Sequence, residues 1–77
     1  MKELIRILVQ ALVDHPDQIE ISEAENENEV LVISLRVSPK DVGKIIGKQG
    51  RTARALRTIV ATGGARMKKH VVLEIIE

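Results

Sequence analysis

The absence of phenylalanine, tyrosine and tryptophan constrains the fold of this 77-residue chain more than any other feature. A chain of this length forms a single domain around one small core. Without aromatic side chains, the bulk of that core has to come from isoleucine, leucine and valine. Because a small aliphatic core leaves apolar surface exposed, we expect the domain to dimerise or to form a complex with another protein.

Cysteine is also absent, so neither disulfide bonds nor thiolate chemistry is available. Charged residues lie within the N-terminal stretch 1–6, where a secretion signal would be apolar. No apolar run approaches the length of a membrane span, which is about 20 residues. We therefore expect a soluble cytoplasmic protein.

The charges are divided unequally between the two halves of the chain. Residues 1–38 contain three Lys or Arg and eight Asp or Glu, whereas residues 39–77 contain nine Lys or Arg and three Asp or Glu. The net charge of +1 therefore hides a basic C-terminal half, which favours phosphate-bearing partners. The alternative is that the acidic and basic halves pair with each other.

Hydrophobic periodicity predicts a helix at the start of the chain and three strands after it. Apolar residues at helical spacing predict a helix over 2–14, which ends before Pro16 because the residue preceding a proline avoids helical geometry. Alternating apolar residues predict strands at 18–23, 30–37 and 68–76. The run of apolar residues at the start of the second strand indicates a central position in the sheet.

Two further helices are predicted between the second and third strands. Ser38, Pro39 and Asp41 are favoured at the start of a helix, so the first of the two is predicted over 38–46. The element order is therefore α-β-β-α-α-β. Because helices connect the second and third strands, these strands are predicted to be parallel, with the helices on one face of the sheet.

The last helix is predicted to begin near Arg51 and to end near Thr62. The glycine pair Gly63 and Gly64 is interpreted as its stop signal, since glycine is the residue that most readily adopts a left-handed cap. The chain shows no internal repeat, linker or low-complexity segment.

The informative segment is 42–56, where a glycine-bracketed loop joins these two helices. Gly47 and Gly50 allow the backbone to turn sharply and to approach another backbone closely. The amides at the start of the second helix lack helical partners, so they can donate to phosphate oxygens. Lys48 adds positive charge to the loop, and Gln49 adds a neutral hydrogen-bonding group.

The helix that follows carries arginines on the side that does not face the predicted core. Arg51, Arg54 and Arg57 are spaced too far round this helix to serve one contact. Arg51 and Arg54 are close enough to follow one sugar–phosphate chain.

The run Ile45-Ile46-Gly47-Lys48-Gln49-Gly50, followed by Ala53 and Leu56, resembles the signature of the K homology (KH) family. The α-β-β-α-α-β order resembles type II of that family, and the length and the segment 43–56 resemble the small stand-alone bacterial KH proteins of the KhpA (YlqC) family. The resemblance covers residues 1–77 and implies one α+β domain, with a three-stranded sheet and helices packed on one face. It also implies a cytoplasmic RNA chaperone or post-transcriptional regulator.

In such domains the GxxG loop clamps about four nucleotides of single-stranded RNA by their backbone. The bases lie in an aliphatic groove, which needs no aromatic stacking platform. The resemblance places Val42, Ile45 and Ile46 beside this groove, a basic variable loop at 63–69 and strand 70–76 as the opposite wall. Ala53 stands where many KH domains have a larger aliphatic residue, which affects the depth of the groove.

The RNA contacts that the resemblance implies come from the loop, the flanking helices and the basic segment before the last strand. These residues are Gly47, Lys48, Gln49, Gly50, Arg51, Arg54, Lys44, Ile46, Arg66, Lys68 and Lys69. As protein partners, the resemblance implies a second copy of the chain or a larger KH protein of the Jag or EloR type.

A P-loop for nucleotides is one alternative interpretation of the glycine-containing segment. The segment 43–49 is one residue too short between its glycines, and Gln49 stands where Ser or Thr would bind magnesium. The segment also follows a predicted helix and not a strand. We therefore reject a nucleotide site.

Metal binding and catalysis are not expected either. His15 and His70 are the only histidines, and no further ligands stand near them; Asp14 and Asp17 are interpreted as solvated turn residues. No Ser/His/Asp arrangement and no pair of carboxylates in an apolar setting is visible. We expect no cofactor, no metal and no enzymatic activity.

The second alternative is a protein-interaction module, in which a KH fold serves docking and the loop binds little RNA. The broad apolar helix over 2–14 and the excess of aliphatic residues favour it. Salt would distinguish the two, because phosphate contacts weaken in salt and apolar contacts hardly respond. The acidic residues from Glu20 to Glu29 are interpreted as a solvated hairpin; alternatively, they repel RNA or contact a basic partner.

Overall fold

The computed structural model describes residues 1–76 and confirms the predicted order α-β-β-α-α-β. Single-turn 3₁₀ helices precede the first strand, at Pro16–Gln18, and separate the second and third helices, at Lys48–Gly50. The principal elements are α1 (Lys2–Gln10), β1 (Glu20–Glu25), β2 (Val30–Arg36), α2 (Val42–Ile46), α3 (Arg51–Arg66) and β3 (His70–Ile76).

The three strands form one sheet in the order β1-β2-β3. The β1–β2 pair is antiparallel, with Ile21 opposite Leu35, and the β2–β3 pair is parallel, with Ile33 opposite Leu73. The central position of β2 and the helical crossover to a parallel β3 are therefore confirmed. A crossover of this kind places both connecting helices on the same side of the sheet.

The core lies between the sheet and the helices and is wholly aliphatic, as the composition requires. Alternate strand residues face it, because successive side chains of a strand point to opposite faces. The helices on one face of the sheet complete an α+β domain of the predicted class. The buried apolar side chains are Ile5, Val9, Ile19, Ile21, Ile33, Leu35, Val37, Ile45, Ala53, Leu56, Val60, Val71 and Leu73.

The predicted end of α1 at residue 14 is wrong, because the helix ends at Gln10. The backbone N–H groups of Asp14 and His15 donate to the side chain of Asp41, at 3.2 and 2.9 Å, instead of continuing the helix. These hydrogen bonds turn the chain towards the start of α2. The first strand is displaced for a related reason, since Gln18 belongs to the 3₁₀ helix that Pro16 begins.

The predicted start of α2 is also wrong, since the helix begins at Val42 and not at Ser38. Residues 38–41 form a turn, in which the Asp41 amide donates to the Ser38 carbonyl at 2.8 Å. The Ser38 hydroxyl accepts from the Lys40 amide at 3.3 Å, so it caps this turn and not the helix.

The glycine pair does not end α3, which continues through Gly63 and Gly64 to Arg66. Both glycines lie where other elements approach the helix closely. A Cβ at Gly64 would lie 2.9 Å from Cβ of Val71 and 3.0 Å from the Lys69 carbonyl oxygen. Gly64 permits this close packing, whereas Gly63 lies only against the flexible end of the Met1 side chain. Neither glycine acts as the predicted stop signal.

This longer helix also corrects the predicted variable loop at 63–69. Arg66 is the last residue of α3, and only the turn at 67–69 separates it from β3. Within residues 1–76, no helix combines the length and the apolarity needed to cross a membrane.

Candidate nucleic-acid interface

The segment 47–50 has the geometry that its glycines predict. Gly47 (φ 76°), Gln49 (φ 58°) and Gly50 (φ 74°) all have positive φ angles, which residues with a Cβ rarely adopt. A Cβ at Gly47 would lie 2.6 Å from Cβ of Thr52, so a side chain at this position would collide with the first turn of α3. Glycine is therefore required at position 47 for two reasons: its φ angle is positive, and Thr52 leaves no space for a Cβ.

The polar groups of the loop face solvent. Lys48, Gln49 and Arg51 are exposed, and the Arg51 guanidinium donates to the amide oxygen of Gln49 at 3.2 Å. No side chain within residues 1–76 caps the start of α3. The first backbone N–H group, that of Arg51, donates to the Lys48 carbonyl. The N–H groups that follow it, next to Lys48 and Arg51, form a positively charged surface suited to phosphate oxygens.

Two further predicted contacts lie on the helices beside the loop. Arg54 is exposed on α3, one turn after Arg51. Lys44 is exposed on α2, where its ammonium group contacts the carboxylate of Asp14. The side chains of Lys44 and Asp14 are 46% and 68% exposed, and ion pairs of such exposure contribute only about 0–1 kcal/mol to stability. Asp14 is thus a paired residue and not merely the solvated one that we expected.

The apolar residues of α2 divide between the core and a groove. Ile45 is fully buried in the core, whereas Val42 and Ile46 are half-buried. Val42 lines an open groove of about 490 Å³ together with Arg36, Val37, Pro39 and Ile76. One helix therefore contributes to both the core and a surface depression at its own start.

The remaining predicted contacts lie at the far end of α3. This helix has 16 residues, so Arg66, Lys68 and Lys69 are separated from the loop by about 24 Å. The ammonium group of Lys69 lies 3.9 Å from a carboxylate oxygen of Glu25, and all three basic residues are exposed. The predicted RNA-binding residues therefore form two groups, one around the loop and one at the end of α3.

A buried carboxylate that the sequence did not reveal connects α1 and α2. Asp41 is fully buried and accepts hydrogen bonds from the Asp14 and His15 amides and, at 3.1 Å, from the His15 ring nitrogen Nδ1. Burial alone would raise the pKa of Asp41, but the hydrogen bonds and the adjacent His15 outweigh it and hold the pKa below its ordinary value. These bonds fix the residue directly before α2.

Arg36 was also missed, although it lines the groove beside α2. The single available signal was its position as the one charged residue in the apolar second strand. That signal did not indicate a site, because exposed charges are common on a solvent-facing strand. No group of three or more potential metal-binding side chains occurs within residues 1–76.

A helix-first α-β-β-α-α-β domain, with a three-stranded sheet and a GxxG loop between its last two helices, is a KH domain of type II. The family model described as "KhpA/KhpB, KH domain" matches residues 2–75. The chain therefore belongs to the KhpA/KhpB family of KH domains.

Relatives of similar length support this assignment. The chain is 49% identical to "RNA-binding protein KhpA" of Aquifex aeolicus over 77 residues, which is all of this chain and 96% of the relative. It is 48% identical to the protein of that name from Halalkalibacterium halodurans, with both chains fully covered. It is 47% identical to that of Clostridium perfringens, covering 99% of this chain and all of the relative.

Proposed function

We propose that this protein binds single-stranded RNA by clamping its sugar–phosphate backbone at the loop 47–50. The observation that carries the proposal is the loop itself, which combines bare backbone at Gly47, a start of α3 that no side chain caps and the exposed Lys48. The names of the relatives, RNA-binding protein KhpA, agree with it. In the cell, this activity would serve an RNA chaperone or post-transcriptional regulator in the cytoplasm.

The proposal assigns different roles to the basic residues around the clamp. Lys48 and the amides of the loop bind one or two phosphates, and Arg51 and Arg54 extend the charge along α3. Lys44 joins them when RNA phosphate replaces Asp14, which the weak exposed ion pair allows. Ile46 packs against the sugars or bases next to the loop, and the group Arg66, Lys68 and Lys69 contacts a more distant part of the RNA.

A fluorescence-anisotropy titration of short labelled single-stranded RNA tests the clamp. The wild type is compared with the double variant Lys48→Asp/Gln49→Asp and with a matched control, Lys2→Asp/Gln18→Asp, which makes the same change of charge away from the loop. Circular dichroism first establishes that all three proteins are folded. We expect the wild type and the control to bind and the loop variant to lose binding.

Salt provides a second measure of the same mechanism. Contacts to three or four phosphates of a single strand predict a slope of log K against log[salt] of roughly −2 to −3. Equal binding by the wild type and the folded loop variant would contradict the clamp. Absence of binding by the wild type at low salt would reject RNA as its ligand.

A second function, assembly with another protein, is favoured by exposed apolar residues on two helices. Ile7 is 63% exposed and Leu4 is 42% exposed on α1, and Ile59 is 39% exposed on α3. A small domain gains by covering such side chains. We propose that they mediate homodimerisation, pairing with a larger KH protein of the Jag or EloR type, or both.

Light scattering after size-exclusion chromatography tests self-association. Ile7→Lys should shift the protein towards the monomer, whereas Glu23→Lys at an exposed position of β1 should leave the mass unchanged. A wild-type protein that is monomeric at all concentrations would leave the larger KH protein as the partner to be tested by co-purification. A dimer unaffected by Ile7→Lys would exclude α1 from the interface.

A further inference from the structure

An open groove lies between the carboxyl ends of two strands and the start of α2. Its walls are aliphatic: Val37 is buried, Val42 and Ile76 are half-buried, and the ring of Pro39 is exposed. The volume of about 490 Å³ is in the range of small-ligand sites, roughly 300–1,000 Å³. Aliphatic walls are suited to the face of a nucleobase and unsuited to a phosphate.

Arg36 is the one charged residue that lines this groove. Its side chain is exposed, and no carboxylate of residues 1–76 forms an ion pair with it. An arginine in such a position offers donors in a fixed planar arrangement and no acceptor. The groove thus combines an apolar surface with one directional group, which is the usual composition of a selective ligand site.

The surroundings of Arg36 disfavour a contact to phosphate. The strand register places Glu20 of β1 directly opposite Arg36. Glu74 of β3 lies opposite Ser34, two residues before Arg36, and therefore on the same face of the sheet as Arg36. Two carboxylates therefore lie on the same face of the sheet as Arg36, and Glu20 lines a depression together with Arg36. Their negative charge disfavours an anion there. A neutral ligand edge that carries hydrogen-bond acceptors is not repelled.

The groove and the loop 47–50 lie at opposite ends of α2. This helix has five residues, so it separates them by about 7.5 Å. An RNA strand clamped at the loop can therefore continue along α2 and place a base in the groove. This geometry rests on the RNA-binding function proposed above.

We propose that Arg36 reads the base in this groove and selects guanine or cytosine over adenine and uracil. Guanine presents O6 and N7 as neighbouring acceptors, and a bidentate arginine is its commonest specific partner. Cytosine, exposed in a single strand, presents O2 and N3 in the same arrangement. Adenine and uracil have no two neighbouring acceptors on one edge. The amino group of adenine lies between the acceptors N1 and N7, and the N3–H group of uracil lies between the acceptors O2 and O4.

The test measures binding of labelled oligouridines in which one central base is varied. Oligomers with guanine or cytosine should bind the wild type roughly 5- to 100-fold more tightly than the oligomer with adenine, the range expected for one bidentate contact. Replacing guanine with 7-deazaguanine, which lacks the N7 acceptor, should remove most of this gain. The ratio of affinities is the quantity compared, because it does not depend on the strength of the loop clamp.

Substitutions of Arg36 separate base recognition from simple charge. Arg36→Gln removes the charge and the planar fork, whereas Arg36→Lys keeps the charge and loses the fork. Both should bring the guanine-to-adenine ratio close to one. Arg57→Gln is the matched control, because it removes the same charge from an exposed arginine of α3 that does not line the groove. It should weaken binding of all oligomers slightly without changing their ratio.

Three results would overturn the inference. The first is a wild type without base preference, and the second is a preference that survives both substitutions of Arg36. In these two cases the wild type still binds RNA, so the proposed clamp stands and only the role of Arg36 is rejected. Absence of binding to any oligomer at low salt is the third result, and it rejects the clamp and the base recognition together.

Discussion

At the scale of single residues, Gly47 is the position where the proposed RNA binding and the backbone geometry depend most closely on each other. Gly47→Ala should destabilise the fold more than Gly50→Ala. Both substitutions place a Cβ at positive φ, at a cost of about 1–2 kcal/mol, but only Gly47 faces Thr52 at collision distance, whereas the space at Gly50 is open. Urea unfolding measures both free energies.

The third glycine of this region supplies the control for that comparison. Gly43 lies within α2, and a Cβ there would meet no atom within 4 Å. Gly43→Ala should therefore leave stability unchanged or raise it by up to about 1 kcal/mol. A loss at Gly43 as large as that at Gly47 would indicate that any added methyl group disrupts α2, and would contradict the role assigned to φ and Thr52.

Asp41 makes the stability of the fold depend on pH in the acid range. The pKa of its carboxyl is lower in the folded protein than the ordinary value of 3.8. The ionised group therefore stabilises the fold above that value, and this contribution is lost as the pH falls through the folded-state pKa. Asp41→Asn should flatten the corresponding part of the curve of unfolding free energy against pH, measured with urea from about pH 2 to 6.

The neighbouring carboxylate of Asp14 provides the matched control. Asp14→Asn should leave the acid limb of the curve in place, because its side chain is 68% exposed and contacts only the exposed Lys44. If Asp41→Asn and Asp14→Asn changed the acid limb equally, the hydrogen bonds to Asp41 would not be its cause. Because Asp41 precedes α2 directly, the Asp41→Asn variant should also bind RNA less tightly than Asp14→Asn.

At the scale of the elements, the order of helices and strands was predictable from the sequence, whereas several of their ends were not. Apolar periodicity is a local signal, and it identified α3 and β2 correctly. The end of α1 depends on Asp41, which is 26 residues away from His15 in the sequence. No local pattern reveals such a contact.

The candidate site shows the same division. The loop 47–50 was identified from adjacent residues, because the sequence itself carries the glycine spacing. Arg36 was missed since the groove brings together residues from β2, β3 and α2, which are separated in the sequence. The geometry of the loop was predictable because its determinants are contiguous, whereas tertiary contacts decide which residues line the groove.

The extent of α3 leads to a prediction about its two internal glycines. Gly64→Ala should lower stability although alanine is the better helix former, because its Cβ would meet backbone and a branched side chain, the Lys69 carbonyl oxygen and Val71. Gly63→Ala is the control: its Cβ would meet only the flexible end of Met1, so the change should be neutral or stabilising by up to about 1 kcal/mol.

Equilibrium unfolding in urea measures both effects, and a second substitution tests their cause. If Val71 is responsible, adding Val71→Ala to Gly64→Ala should cost less than the sum of the two separate losses. Additive losses would show that the collision with Val71 does not limit this helix. A stabilising Gly64→Ala would show that the close approach of Val71 and the Lys69 carbonyl oxygen does not restrict this position.

At the scale of the whole molecule, the two groups of basic residues predict that RNA affinity depends on RNA length. The proposed loop clamp would hold about four nucleotides. The group Arg66, Lys68 and Lys69 lies about 24 Å further along α3, a distance that several more nucleotides of a single strand can span. Oligomers of about 12 nucleotides should therefore bind more tightly than oligomers of about 6, and their affinity should depend more steeply on salt.

Substitution of the distal lysines tests whether the longer RNA contacts them. The alternative is that a longer RNA binds more tightly only because it offers more positions at which the loop can bind. Lys68→Gln/Lys69→Gln should reduce affinity for the longer oligomer and lessen its salt slope, because two phosphate contacts are lost. Affinity for the short oligomer should depend mainly on Lys48, which lies at the other end of α3. If the double variant weakened both oligomers equally, the distal lysines would act through the overall field of the protein, and the RNA would not extend along α3.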